Sequence, residues 1–514
     1  MAPIKQARLV RAVFRRRLYV IALILIQISF IILVIASSQL FFYYINWMMH
    51  ALSIAVCLYI INKNEKPAYK LTWVFLILLF PIFGGFLYIV FKYQSGRRKK
   101  TRKMRSQNAF QGDVLSGIIE KHKNYTTQAR YLELWGYSIY NKTKTEYFDS
   151  GEKFFKKVLE ELEKAEKYIF MEFFIIRQGV MLNSILNILE RKAKAGLDIR
   201  FIYDDLGCFI SLPHNFHKKL SERGIKCMIF NPFKPIFSSL QNNRDHRKII
   251  VIDGKTAFTG GVNLGDEYIN AFERFGHWKD AAIMVHGEAA WAFSLMFLRM
   301  WNLVGDKSKE DKSKEEDFSA FYPWKDTVCD VVSDGYVQPY ADDPIDPENI
   351  VEHIYLQIIN NAKDYVYINT PYLIVDANMV SALTLAAKSG IDVRIMTPHF
   401  WDKKIAAFIS RSYYRELVSA GVKVYEYING FNHSKTFVSD DIVASVGTAN
   451  LDFRSLYLHY ECGVCVYESS EIARIKQDFL STLPLSKQIT LSDCSRNALQ
   501  RVIQDILRLF APLM

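Results

Sequence analysis

The sequence predicts an α/β fold of two pseudo-symmetric halves, each with a β-sheet flanked by helices, preceded by an N-terminal transmembrane helical region. Three observations point there. Long apolar runs crowd the front of the 514-residue chain. Short β-rich runs alternate with helical stretches from about residue 130 onward. That alternation then returns, in the same order, roughly two hundred residues later.

In chain order, Leu18–Ala36, Leu40–Ile61 and Leu71–Phe91 each approach or reach the ~20 apolar residues that cross a bilayer. Lys5, Arg8, Arg11, Arg15, Arg16 and Arg17 precede the first run, and a second basic cluster, Arg97–Arg105, follows the third. Both clusters favour the cytoplasmic side, which requires an even number of crossings. Pro81, Gly84 and Gly85 give the third run a kinked or re-entrant path. The expectation is an integral, multi-pass protein with two or three membrane segments and its large domain on the cytoplasmic side. Half of all residues are hydrophobic, 14% are aromatic and the formal charge is +12, a balance that suits a membrane-associated protein better than a soluble nucleic-acid binder. Seven scattered cysteines form no disulfide framework and read as reduced thiols; Cys462 and Cys465 read as part of a buried strand, "YECGVCVY".

Beyond the membrane region, assigned to residues 1–105, the first half is placed at 106–304. There "YIFMEFFII" (Tyr168–Ile176) leads into the helical stretch "MLNSILNILERKAKAG" and the strand "LDIRFIYDD". The second half, 328–514, repeats this as "YVYINTPYLI" (Tyr365–Ile374), "NMVSALTLAAKSG" and "IDVRIMTPHF". Gly196 and Gly390 are expected to close the two helices. Between the halves, 305–327 contains "GDKSKEDKSKEED", a solvated charged linker. The C-terminal "ALQRVIQDILRLFAPLM" is amphipathic; packing on its own domain is the first reading and contact with a membrane surface the second.

One motif occurs at equivalent points of the two halves: "HRKIIVID" carries His246, Lys248 and Asp253, and "HSKTFVSD" carries His433, Lys435 and Asp440. On a strand, positions i and i+2 share a face, so each histidine and its lysine project into one site. Asp253 and Asp440 fall at the strand end beside a turn and are assigned an anchoring role. Each second strand closes on a small-residue corner with an asparagine, Asn263 or Asn450, whose amide is placed to donate to an anion. Two imidazoles and two ammonium groups in one site suit a phosphodiester. The lysines neutralise the phosphoryl oxygens, one histidine attacks phosphorus, and the other serves as acid and then base. No carboxylate cluster suited to Mg²⁺ is evident, so neither metal nor cofactor is expected.

These residues resemble the phospholipase D superfamily, with its duplicated H-x-K-x-x-x-x-D motif, and more narrowly its bacterial cardiolipin synthases. "NNRDHRKIIVIDGKTAFTGGVNLGDEY", "INTPYLI" and "HSKTFVSDDIVASVGTANLDFRSL" carry the likeness; Asp245 and His459 stand where asparagine is more usual. The resemblance implies a bacterial cell-membrane enzyme that passes a phosphatidyl group from one phosphatidylglycerol to another through a phosphohistidine, giving cardiolipin and glycerol. Which histidine attacks is open, with His246 taken first and His433 as acid/base. The implied partners are phosphatidylglycerol and anionic membrane lipids, without nucleic acid. The alternatives are a phospholipase D-type hydrolase, a transferase to another alcohol, and a membrane-tethered nuclease. Glu172 and Glu461 are placed to orient the two histidines through the second ring nitrogen. Tyr372 and Arg454 are candidates for the headgroup pocket.

Overall fold

The computed structural model describes residues 40–92, 126–233, 241–305, 316–333, 335–346 and 348–513, together with Leu25, Ser29 and Ile32. The predicted span 18–36, apart from those three residues, lies outside the described residues, as do both basic clusters and residues 306–315 of the charged linker. Two compact units result: one gathers the described residues of Met1–Arg97, Phe233–Asn243 and Asn497–Met514, the other those of Arg98–Pro232 and Arg244–Arg496.

The smaller unit is helical. Helix α1 is Leu40–Ile61, α2 is Pro67–Leu79 and α3 is Pro81–Lys92. The segment 71–91, expected to follow a kinked or re-entrant path, is divided into two helices, because Pro81 cannot continue α2, which is capped at Phe80. The chain folds back there because Gly84 has no side chain: a Cβ at that position would lie 2.6 Å from the Leu76 carbonyl oxygen. At about 1.5 Å per residue, α2 and α3 each fall well short of a ~30 Å hydrocarbon layer. Asn46, His50 and Ser53 interrupt the apolar run of α1. Among the described residues no helix is long and apolar enough to cross a membrane. The C-terminal helix α4, Ala498–Phe510, joins this unit rather than the second half: the Thr72 hydroxyl donates to the Leu509 carbonyl at 2.7 Å, and Phe75 and Phe510 meet edge to face.

The larger unit holds two sheets with one strand order. The first runs Thr143–Phe148, Ala282–Gly287, Thr256–Gly260, Lys248–Ile252, Tyr168–Phe173, Asp198–Asp204, Lys226–Phe230. The second runs Tyr336–Asp342, His459–Tyr467, Val443–Gly447, Thr436–Ser439, Tyr365–Asn369, Asp392–Pro398, Lys423–Tyr427, with Ser486–Gln488 added at its edge. In each, the motif strand lies antiparallel to the first strand of a parallel β–helix–β unit, so the two-halved α/β reading holds. The helices of those units, Val180–Lys194 and Ala377–Lys388, end as expected at Gly196 (φ 95°) and Gly390 (φ 94°), left-handed positions that glycine adopts without strain. One core cluster takes residues from both sheets, among them Phe170, Ile249, Tyr367, Val438 and Val464, with Phe297 and Phe479 from two helices. Cys462 and Cys465 are buried in a strand.

The C-terminal end of the linker is not a free solvated tether. Glu316 forms a two-pronged ion pair with Arg200, and the Tyr168 hydroxyl donates to the Phe321 carbonyl at 2.8 Å.

Candidate active site

Each motif strand is preceded by a short segment that leaves its own sheet and pairs with the other half. Arg244–Asp245 lies parallel to His459–Tyr460, and Gly430–Asn432 lies parallel to His277–Lys279. Extending either register by one residue sets His246 beside Glu461 and His433 beside Asp280. The backbone continues the pairing: His246 N–H donates to Tyr460 O at 3.0 Å and His433 N–H to Lys279 O at 2.7 Å. The side chains follow. His246 Nδ1 lies 2.9 Å from Glu461 Oε1, and His433 Nδ1 lies 2.7 Å from Asp280 Oδ2. Each half thus orients the histidine of the other.

A carboxylate on Nδ1 holds the Nδ1–H tautomer and leaves Nε2 with a lone pair. Burial keeps both rings neutral: it pushes His246 well below the ordinary imidazole value, and it lowers His433 to about 4, with the Lys435 charge adding to the effect. Although burial opposes it, the contact with the His246 ring and the positive charge of Lys248 hold Glu461 well below the usual carboxylate range. The Thr448 hydroxyl also donates to Glu461 Oε2, at 2.5 Å.

Both lysines are buried behind their histidines. Lys248 Nζ donates to the His246 carbonyl at 2.5 Å, and Lys435 Nζ donates to the His433 carbonyl. Burial lowers Lys248 to about 8 and Lys435 to about 7, and the Lys248 charge contributes to the depression of both Lys435 and His433. The two motifs therefore share one electrostatic environment.

Asp253 and Asp440 lie away from the imidazoles, at the strand ends. The Asp253 carboxylate accepts from the backbone N–H groups of Glu166, Lys167 and Tyr168 at 2.7–2.8 Å. Asp440 accepts from Lys363, Asp364 and Tyr365 at 2.8–3.0 Å. Both sit at positive φ, 52° and 54°, an unfavourable conformation compensated by three charge-assisted hydrogen bonds.

Other expected roles need correction. Glu172 does not reach a histidine; it pairs with Arg247 at 2.8 Å, and burial raises its carboxyl well above the usual range. The reason is register: Glu172 lies opposite Ile249, and Asn369 occupies the equivalent place opposite Thr436. The second half fills this layer with amides, Asn432 Nδ2 donating to Asn369 Oδ1, whereas the first half fills it with Asp245, Arg247 and Glu172. Each corner asparagine commits one of its two amide hydrogens within the protein. Asn263 donates to the Tyr268 hydroxyl at 2.9 Å and Asn450 to Asp452 at 3.0 Å. Tyr372 is buried and donates to Asp402, and Arg454 is half-buried on the short helix Phe453–Tyr457.

The sequence reading missed Asp280, Thr448 and the aromatic walls, Phe174 beside His246 and Trp278 beside His433. A signal for Asp280 existed. "WKDAAIMV" and "HYECGVCV" each carry an acid at the start of the strand that follows an asparagine corner. The corner's small residues also prove to serve the acids: a Cβ on Gly261 would lie 1.9 Å from Asp280 Oδ1.

Two fused halves that cross-orient a pair of H-x-K motifs define the phospholipase D-like class of proteins. Within it, the family model for cardiolipin synthase, PLD-like domain, matches residues 158–301 and 355–483, and the chain belongs to that family. A second model, phospholipase D-nuclease N-terminal, matches residues 51–92. An uncharacterized protein of Streptococcus mutans is 41% identical over 466 residues, covering 89% of this chain and 99% of its own. Cardiolipin synthase 2 of Bacillus anthracis is 34% identical over 463 residues, covering 88% of each chain. Among solved structures, a phosphatidylserine synthase of Haemophilus influenzae shares the fold, with a TM-score of 0.53 at 15% identity over 72% of this chain and 93% of that one.

Proposed function

We propose that the protein is a phosphatidyltransferase that makes cardiolipin and glycerol from two molecules of phosphatidylglycerol. Family membership supports the reaction class, and the crossed pairs His246–Glu461 and His433–Asp280 carry the mechanism.

A phosphodiester enters between Lys248 and Lys435, whose ammonium groups balance its charge. Neutral His246, its Nδ1–H held by Glu461, attacks phosphorus through Nε2. The P–O bond to glycerol breaks as His433, protonated in the presence of the anionic substrate, delivers a proton to the leaving oxygen. A phosphatidyl group is then bonded to His246. The headgroup hydroxyl of a second phosphatidylglycerol gives its proton to His433 and attacks phosphorus, which frees His246 and forms cardiolipin. One phosphodiester replaces another, so no nucleotide is consumed. Asp253 and Asp440 act through the backbone, tying each motif strand to its neighbour.

The helical unit is assigned to membrane attachment, where both lipid substrates are concentrated. Trp47, Leu52, Ile54 and Leu58 on α1, and Leu499, Val502, Ile503 and Ile506 on α4, are exposed apolar side chains. The multi-pass arrangement and the cytoplasmic placement of the large domain belong to this proposal.

Purified protein in vesicles containing labelled phosphatidylglycerol, without nucleotide, is expected to release glycerol and accumulate cardiolipin. Phosphatidic acid as the sole product would replace the transferase with a hydrolase, and DNA cleavage without lipid turnover would replace both with a nuclease.

A further inference from the structure

His459 has no part in the reaction just described, yet it sits at the site. Its ring centroid is 5.4 Å from that of His246, and its Nδ1 lies 3.8 Å from Glu461 Oε1. It is 8% exposed; Nε2 has no hydrogen-bond partner, and Nδ1 reaches Glu461 only at that longer ion-pair distance. A buried imidazole with one nitrogen unpartnered and the other only loosely paired is costly, and such a group calls for a ligand. His246, His459 and Glu461 each offer one donor atom, and these atoms all lie within 4.8 Å of one another.

We infer that His246, His459 and Glu461 form an inhibitory site for a borderline divalent transition metal of the Zn²⁺ class. Two imidazoles and a carboxylate are a donor set that Zn²⁺ favours, and tetrahedral coordination at ~2.0–2.1 Å places donors about 3.3 Å apart. The His246–Glu461 and His459–Glu461 separations, 2.9 and 3.8 Å, bracket that value. The fourth position is open to water or to a phosphoryl oxygen. Hard oxygen-seeking cations such as Mg²⁺ are not suited to this set.

Inhibition follows from the chemistry of one ring. Metal on Nδ1 of neutral His246 moves the ring proton to Nε2, which then lacks the lone pair needed to attack phosphorus. Metal on Nε2 occupies the attacking atom itself. In either case Glu461 is drawn from its hydrogen bond into coordination. His433 and Asp280 are untouched, and the place of His459 in that crossing, two residues before Asp280, is held by Trp278, which offers no ligand atom. Among the described residues the site is therefore single.

The inhibitory consequence rests on the proposed role of His246; the binding does not. The experiment uses full-length purified protein stripped with a chelator and then titrated with Co²⁺, followed by visible absorption, and with Zn²⁺ by calorimetry. One high-affinity equivalent with tetrahedral or five-coordinate d–d bands is expected, at least tenfold weakened in His459→Asn and in His459→Gln. Parallel assays on phosphatidylglycerol vesicles read each variant's rate against its own metal-free rate. Stoichiometric Zn²⁺ is expected to silence the native protein reversibly, with His459→Asn at least tenfold less sensitive. Absence of a one-equivalent site, or undiminished binding by both His459 variants, overturns the site. Binding without loss of turnover overturns the inhibition. A metal-free protein that makes no cardiolipin contradicts the function proposed above and leaves the spectroscopic result to stand on its own.

Discussion

Asp280 and His433 are separated by 153 residues and joined by a 2.7 Å contact between carboxylate and Nδ1. The acid belongs to the first half and the histidine to the second, with the reverse crossing at His246 and Glu461. Neither half holds a complete catalytic histidine by itself.

Asp280→Asn and Glu461→Gln are expected to lower kcat by about 10²–10⁴-fold, because an amide no longer enforces the Nδ1–H tautomer or supports a charged ring. KM for phosphatidylglycerol should change far less. A steady-state comparison with separate kcat and KM checks this; two variants within twofold of the native kcat would remove both acids from the mechanism.

Glu172→Gln tests the opposite claim. Its carboxyl is raised by burial, with Asp245 adding to the effect and Arg247 opposing it, and it touches no histidine. Turnover is expected to stay within about threefold of native, in line with a residue outside the reacting groups. A loss as deep as that of Glu461→Gln would restore Glu172 as a histidine partner.

Gly261→Ala inserts a Cβ where only 1.9 Å separates it from Asp280 Oδ1. The carboxylate must move, and His433 loses its alignment. The expected outcome is a drop in kcat of about 10–10²-fold with the protein still folded, read by kinetics beside a thermal melt. Native kcat in a folded Gly261→Ala protein would show that the Asp280–His433 contact is dispensable.

The lysines set an alkaline limit. Burial lowers Lys435 to about 7 and Lys248 to about 8, so both lose positive charge as pH rises through those values. Because kcat/KM reports groups of the free enzyme, it is expected to fall across that window as the anionic headgroup loses its counter-charges. The stability effect has the opposite sign. A lysine depressed in the fold binds fewer protons than in the unfolded chain, so its unfavourable contribution eases as pH climbs from the folded value toward the ordinary lysine value. Lys435→Met should thus raise Tm at neutral pH, by an amount worth about 1–2 kcal/mol, while removing activity. A kcat/KM profile flat to pH ~10 would mean the ammonium groups are not needed.

Val502→Asp with Ile506→Asp places charge on the exposed apolar face of α4. Binding to vesicles of anionic lipid is expected to weaken several-fold, as measured by co-sedimentation, if that face meets lipid. Unaltered sedimentation would leave attachment to the rest of the helical unit.

Much of the fold was legible in the chain because its signals are local. Alternating strands and helices, glycines 196 and 390 past the helix ends, and two H-x-K segments at matching places need only a few neighbouring residues to be read. Asp253 and Asp440 were likewise legible as strand-end residues, since a turn follows each directly. Less legible was the layer around Arg247. Glu172 looks like a histidine partner in isolation, and only its register opposite Ile249 directs it to the arginine. Pro81, Gly84 and Gly85 marked a bend within 71–91, but the close approach of Gly84 to Leu76 that accompanies it left no local signal.

By itself the sequence determined the donors: two imidazoles, two ammonium groups, and the strand periodicity that aims each pair together. The tertiary structure alone decided which acid serves which imidazole. That choice depends on two short strand pairings that cross between the halves, Arg244–Asp245 with His459–Tyr460 and Gly430–Asn432 with His277–Lys279. Hydrogen bonds between distant strands leave no periodicity in the chain, so His246 meets Glu461, and His433 meets Asp280, only once the two sheets have packed on a common core.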